Sequence, residues 1–104
     1  MSAMSRRKGE RGERAVVEMA KAHGFTAVRA RSGAGQELSD IVGIPGFVVE
    51  SKWVERETVR AWFKQASENC GRDIPVVAHK RNHSPWLATL ELEELLALIA
   101  RAQA

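Results

Sequence analysis

The stretch Ser39–Trp53, SDIVGIPGFVVESKW, decides how the chain is read. Two short apolar runs, DIVGI and FVVESKW, flank Pro45-Gly46, a dipeptide that marks a tight turn between antiparallel strands. Three charges interrupt these runs: Asp40, Glu50 and Lys52. Side chains alternate along a strand, so Glu50 and Lys52 share a face with Val48 and Val54, while Ser51 and Trp53 take the other. Alone, the Glu-x-Lys pair fits an exposed polar face, and an isolated aspartate fits a turn.

The combination says more. If the strands pair so that residue numbers sum to 90, Asp40 lies directly across from Glu50. Their Cβ atoms are then about 4.5–5.5 Å apart. Two carboxylates at that separation repel unless a cation lies between them. A three-residue loop, Ile44-Pro45-Gly46 with Gly46 left-handed, gives this register. The residue before proline resists the helical region, and a two-residue Pro-Gly turn shifts the register by one, so both turns stay open.

A third carboxylate, Glu13, lies on the apolar stripe of the first helix with Val16, Val17 and Ala20. An acid on a core-facing stripe is costly unless paired. The alternative is an acid in a frayed first turn, favoured by the helix dipole, and Glu10 competes for any functional role. Two or three carboxylates converging on one point, with a lysine, suit a hard divalent cation. Mg²⁺ takes oxygen ligands, keeps several waters and uses one or two carboxylates. Asp40 and Glu50 would supply these, with the Ser51 carbonyl as a further oxygen. Lys52 beside the metal would orient or deprotonate a water, or offset charge building on a phosphate. That is the chemistry of phosphodiester hydrolysis.

The rest of the chain fits one small domain spanning residues 1–104. Its length supports a single core. Arg6, Arg7, Lys8, Arg11 and Arg14 crowd the N-terminus, and Lys80 with Arg81 forms a second basic spot. Such clusters suit phosphate backbones or a solvated terminus. Residues 1–8 are expected to be a flexible basic arm, followed by a helix over Gly9–His23 that stops at Gly24. Strands are expected at Phe25–Arg31, in the two runs of the opening stretch, in IPVVAHK and in WLATL. ETVRAWFKQASENCG and ELEELLALIARA read as helices from their apolar spacing. The order is αβββαββα, an α+β mixed sheet with helices packed on it. One cysteine, Cys70, permits no intrachain disulfide and suits a reducing compartment. No signal-peptide core and no membrane-length run is present, so the expected location is cytoplasmic, with no membrane partner. Cys70, His79 and His83 lack zinc-site spacing. Trp53, Trp62, Phe63 and Trp86 could stack on bases or form an interface. Trp62 and Phe63 read as core from their spacing, while Trp53, opposite the charged face, stays open and could serve in helix packing.

Asp40 followed after nine residues by Glu50-Ser51-Lys52 resembles the signature of the PD-(D/E)XK nucleases. The order of elements resembles the αβββαβ core of that restriction-endonuclease-like fold, here with an extra strand and a C-terminal helix. More narrowly, RRKGERGERAVVEMAKAHGFTAVRARSG followed by SDIVGI is similar to the archaeal-type Holliday junction resolvases, found also in phages. IPVVAHK resembles their fourth strand, and the likeness runs from about Arg6 to Lys80. Ser39 stands where the family pattern usually has proline, and the Arg29–Asp40 loop is longer than in the closest patterns.

The resemblance implies a Mg²⁺-dependent endodeoxyribonuclease, with Mn²⁺ able to substitute, acting on four-way DNA junctions as a homodimer. It implies Glu13 as the helix-borne acid, Asp40 and Glu50 as metal ligands and Lys52 as the catalytic lysine. It implies Arg14 as a phosphate contact, Arg29 as a basic residue near the site and Ser32 as a loop residue close to the scissile phosphate. Arg6, Arg7, Lys8, Arg11, Arg31, Lys80 and Arg81 complete the expected DNA-binding set. Gln65 resembles a glutamine that some relatives place near the site; an exposed polar residue on the second helix is the favoured reading. The dimer surface is expected around Trp62 and Phe63 or on the strand bearing Trp86. A flap-cleaving, nicking or repair nuclease of the same fold, and a non-catalytic DNA-binding module, are the rival readings.

Overall fold

The computed structural model describes residues 3–30 and 40–104, with Ser5 and Asp40 described by backbone alone. The elements run α1 (Ala3–Ala22), β1 (Val28–Arg29), β2 (Asp40–Ile44), β3 (Phe47–Trp53), α2 (Val59–Asn69), β4 (Ile74–Lys80), β5 (Leu87–Thr89) and α3 (Leu92–Ala102). The order matches the expected αβββαββα. The strands form one sheet in sequence order, antiparallel except for β3–β4. A parallel pair needs a crossover connection, and α2 supplies it.

The two faces of the sheet are covered by different helices. α1 sets Val16 and Val17 on Ala27, Ile41 and Val49. α2 sets Trp62 and Ala66 on Val77 from the other side. Each buried valine or isoleucine among these stabilises the fold by roughly 1.5–3 kcal/mol relative to exposure. Alternation along β3 then assigns its residues. Val49, Ser51 and Trp53 belong to the α1 face, while Glu50 and Lys52 share the α2 face with their β4 partners Val77 and His79.

Gly12 lets α1 come this close. A Cβ there would lie 3.3 Å from the Trp86 ring and 3.4 Å from both Ser51 Oγ and Trp53 Cβ.

Three expectations are corrected. α1 begins at Ala3, so residues 3–8 are helix and not a flexible arm. Arg and Lys are good helix formers, and Lys8 is tied to Glu55 at 3.8 Å. β1 is two residues long and not the whole Phe25–Arg31 run. The helix stop explains part of the difference: Gly24 is left-handed as expected, and the Phe25 amide donates back to the Ala20 carbonyl, so the chain leaves α1 in a cap before it extends. Finally, α3 does not pack on the sheet, and none of its residues is buried. Both faces of the sheet already carry a helix.

Candidate active site

The β2–β3 turn has two residues, because Ile44 pairs with Phe47 across Pro45-Gly46. Carried straight down the hairpin, that turn would set Asp40 against Ser51. It does not, because Val42 and Gly43 together oppose the single residue Val48, a β-bulge that restores Ile41 to Val49 and Asp40 to Glu50. The turn is therefore the shorter alternative and the register that of the longer one. Gly43 makes this possible: its φ is +97°, and a Cβ there would collide with the Thr26 carbonyl oxygen.

Glu50 is 3% exposed. Lys52 Nζ stands 3.6 Å from its Oε1, on a side chain about one quarter exposed. Removing an ionised carboxylate from water costs several kcal/mol, which a neighbouring cation partly offsets. His79, the β4 partner of Lys52, forms the next part of this face. Its Nε2 lies 3.0 Å from Thr89 Oγ1 and its ring lies against Trp62, with centroids 5.9 Å apart. His79 Nδ1 is buried without a hydrogen-bond partner among the described residues. Sequence spacing excludes His79 from a zinc site and gives it no other role. The signal was its place two residues after Val77 on the buried face of IPVVAHK.

Glu13 is held elsewhere. Arg29 Nε donates to its Oε2 at 2.7 Å, and both side chains are largely covered. Arg29 pairs in register with Ile41, a core residue under α1, so the Glu13–Arg29 pair lies over the α1 face. Glu50 and Lys52 lie on the other. Among the described residues, which exclude the Asp40 side chain, no three His, Cys, Asp or Glu side chains gather where they could hold a metal. Ser51 is buried, with its Oγ against the Gly12 backbone. Arg31 and Ser32 fall outside the described residues.

The basic residues divide by helix geometry. Arg7, Arg11 and Arg14 stand at offsets of four and three on α1, one exposed stripe, with Arg6 exposed beside it. Lys8 is partly covered. Lys80 Nζ lies 4.4 Å from the centroid of the Trp53 ring. Arg81 is exposed and pairs with Glu57 at 3.5 Å. Gln65 is an exposed residue of α2. Cys70 Sγ lies 3.1 Å from the Ser67 carbonyl, far from any zinc-like arrangement among the described residues.

A family model described as archaeal Holliday junction resolvase (hjc) matches residues 4–97. The chain belongs to that family. The match begins in the basic first turns of α1 and ends within α3, so it takes in the hairpin, the bulge and the crossover to β4. The restriction-endonuclease-like fold is that of the family, and the family is one of nucleases. No curated protein matches the chain. No helix among the described residues is long and apolar enough to cross a membrane.

Proposed function

We propose that this chain is a Mg²⁺-dependent DNA endonuclease that resolves four-way junctions by paired, symmetric nicks. The carrying observation is the buried Glu50 carboxylate beside Lys52, with Asp40 facing Glu50 in register. A buried ion pair adds little to stability by itself, so its retention here is explained better by chemistry. The donor set fits a hard cation: two acidic positions meet across the hairpin, and the Ser51 carbonyl follows directly. Asp40, Glu50 and that carbonyl would hold Mg²⁺ or Mn²⁺. When bound, the metal polarises a phosphate oxygen and lowers the pKa of a coordinated water.

The other roles belong to the chain's own residues. The Lys52 ammonium, positioned by Glu50, offsets negative charge growing on the phosphate. Glu13, oriented by Arg29, is the helix-borne acid, set on the α1 face of the sheet, and the Arg7–Arg11–Arg14 stripe engages the DNA backbone. The deciding experiment is cleavage of a labelled four-way junction beside linear duplex, flap and single-stranded controls, with Mg²⁺ and with EDTA. Equal cleavage of duplex or flap would favour the nicking or repair reading. Binding without cleavage in any metal would favour the DNA-binding module.

Paired nicks require two sites, and each chain carries one. α3 is the surface that supports a two-fold dimer best. Trp62 is spent in the core and Trp86 packs against it, which removes most of the apolar area of the two surfaces expected from sequence. In α3, by contrast, Leu92, Leu95, Leu96 and Ile99 are 39–66% exposed. An isolated helix of this length is marginal in water. Glu93 and Glu94 begin the helix and Arg101 ends it. An antiparallel pair of α3 helices about a two-fold axis covers the leucines and sets each acidic end against a basic one.

A further inference from the structure

The α1 face carries a cleft that the catalytic reading leaves unused. It measures about 400 Å³ and is bounded by Arg11, Arg14, Glu18, Trp53, Lys80 and Trp86. Trp86 meets Trp53 edge-on, with centroids 6.2 Å apart and planes at 74°. Three cations surround the Trp53 ring: Lys80 at 4.4 Å, Arg11 at 5.2 Å and Lys8 at 5.7 Å. Lys8 is paired with Glu55, and Glu18 in the wall is paired with Lys21. Among the described residues, Arg11, Arg14 and Lys80 make no salt bridge.

The rings are fixed in place. The Trp53 Nε1 donates to Asn82 at 3.0 Å, and the Asn82 amide is in turn held by Glu55 at 2.7 Å. Trp86 is seated against the bare backbone of Gly12. If these indoles served packing alone, aliphatic neighbours would do. Unpaired cations crowded at one ring repel each other and favour an incoming anion. Two indoles with cations lying over them, Lys80 over both and Arg11 over Trp53, together suit a nucleotide: its base takes a place beside the rings and its phosphate draws the cations. In a duplex every base is already stacked. The fitting ligand is an unpaired one.

We infer that the Trp53–Trp86 cleft is a stacking site for one unpaired base of branched DNA, whose phosphate is held by Arg11 and Arg14. The inference rests on the proposed junction-resolving function. Trp53 follows Lys52 directly in β3 and points to the opposite face, so the cleft flanks the catalytic lysine without sharing its ligands. It would give a small enzyme a means to prefer branch points over linear duplex, through a base that only a branch point exposes.

The test uses the full chain in EDTA, so that binding is read without cleavage. A four-way junction carries 5-iodouracil at a branch-point position or, as control, in the middle of one arm. After irradiation, cross-linked residues are located by mass spectrometry. Cross-links to Trp86 or Trp53 from the branch position, and few from the arm, are the expected result. Trp86→Ala should weaken junction binding roughly tenfold and duplex binding little. Thermal melting checks its fold, and if that variant unfolds, the wild-type cross-link alone decides. Junction preference in the wild type with no tryptophan cross-link, or with equal cross-linking from the arm, overturns the stacking site and leaves the junction reading standing. No preference for junction over duplex in the wild type overturns both.

Discussion

Asp40 faces Glu50 only because Gly43, three residues along β2, takes up one extra residue in a bulge. Two features that oppose each other, a two-residue turn and an in-register acid pair, are reconciled at a single glycine. Gly43→Ala should therefore do more than strain the backbone. The new methyl meets the Thr26 carbonyl, so either the bulge or the α1–β1 connection must move. We expect a loss of about 3 kcal/mol or more in stability, and loss of cleavage under conditions where the variant is still folded. Gly46→Ala is the control: its φ is +86° but no atom stands within 4 Å. It should cost about 1–2 kcal/mol and keep activity. Chemical denaturation and junction cleavage on both variants check this, and an active, stable Gly43→Ala would sink it.

Removing either proposed metal ligand should separate binding from chemistry. Asp40→Asn and Glu50→Gln are expected to abolish cleavage while junction affinity largely survives, since affinity comes from Lys and Arg contacts to phosphates. Calcium should support binding without efficient cleavage, because its looser coordination positions water poorly. Wild-type cleavage rates in EDTA would remove the metal from the mechanism.

Lys52 and the α1 arginines should fail in different ways. Lys52→Ala should slow the single-turnover chemical step by roughly 100-fold or more, the scale of losing a charge-stabilising group. Arg7→Ala or Arg11→Ala should instead weaken binding and reduce the salt slope by about 1 each. Normal single-turnover cleavage by Lys52→Ala would make Lys52 a surface residue paired with Glu50 and nothing more.

Charge placed on α3 should prevent the proposed dimer without touching the site. Leu96→Glu puts an acid in the middle of the exposed apolar stripe. We expect a monomer in sedimentation at micromolar concentration, with junction nicks made singly and no longer in pairs. A strictly monomeric wild type, with or without junction, would exclude paired nicking by two copies and promote the single-nick repair reading.

Much of this architecture was legible because periodicity and punctuation agree. IPVVAHK is β4 as read, and α2 carries Trp62 and Ala66 inward at the expected spacing. The acid pair was legible as a possibility, but the bulge was not. A glycine inside a strand hints at one without saying which residues it will realign. Glu13 was legible as a covered acid on an apolar stripe. Its partner Arg29 and its place on the α1 face depend on β1–β2 register, which is set by contacts distant in sequence. α3 misled for a related reason. Its leucines announce an apolar face, and nothing local distinguishes a helix that packs on its own sheet from one that waits for another surface.

The parallel pairing of β3 with β4 has a consequence for when a nuclease becomes active. The β2–β3 hairpin joins neighbours in sequence, and hairpins close in about 1–10 μs. β3, however, is backed along its length by β4, from Phe47 against Ile74 to Trp53 against Lys80. Contacts so far apart in the chain form late. On the ribosome the two acidic positions emerge well before the strand that braces Glu50 and Lys52, so a growing chain carries both acids but no finished site. The expectation is that pulse-labelled hydrogen exchange during refolding protects the β2–β3 amides before those of β4. A small enzyme that cuts DNA would in this way be silent until β4 has been made.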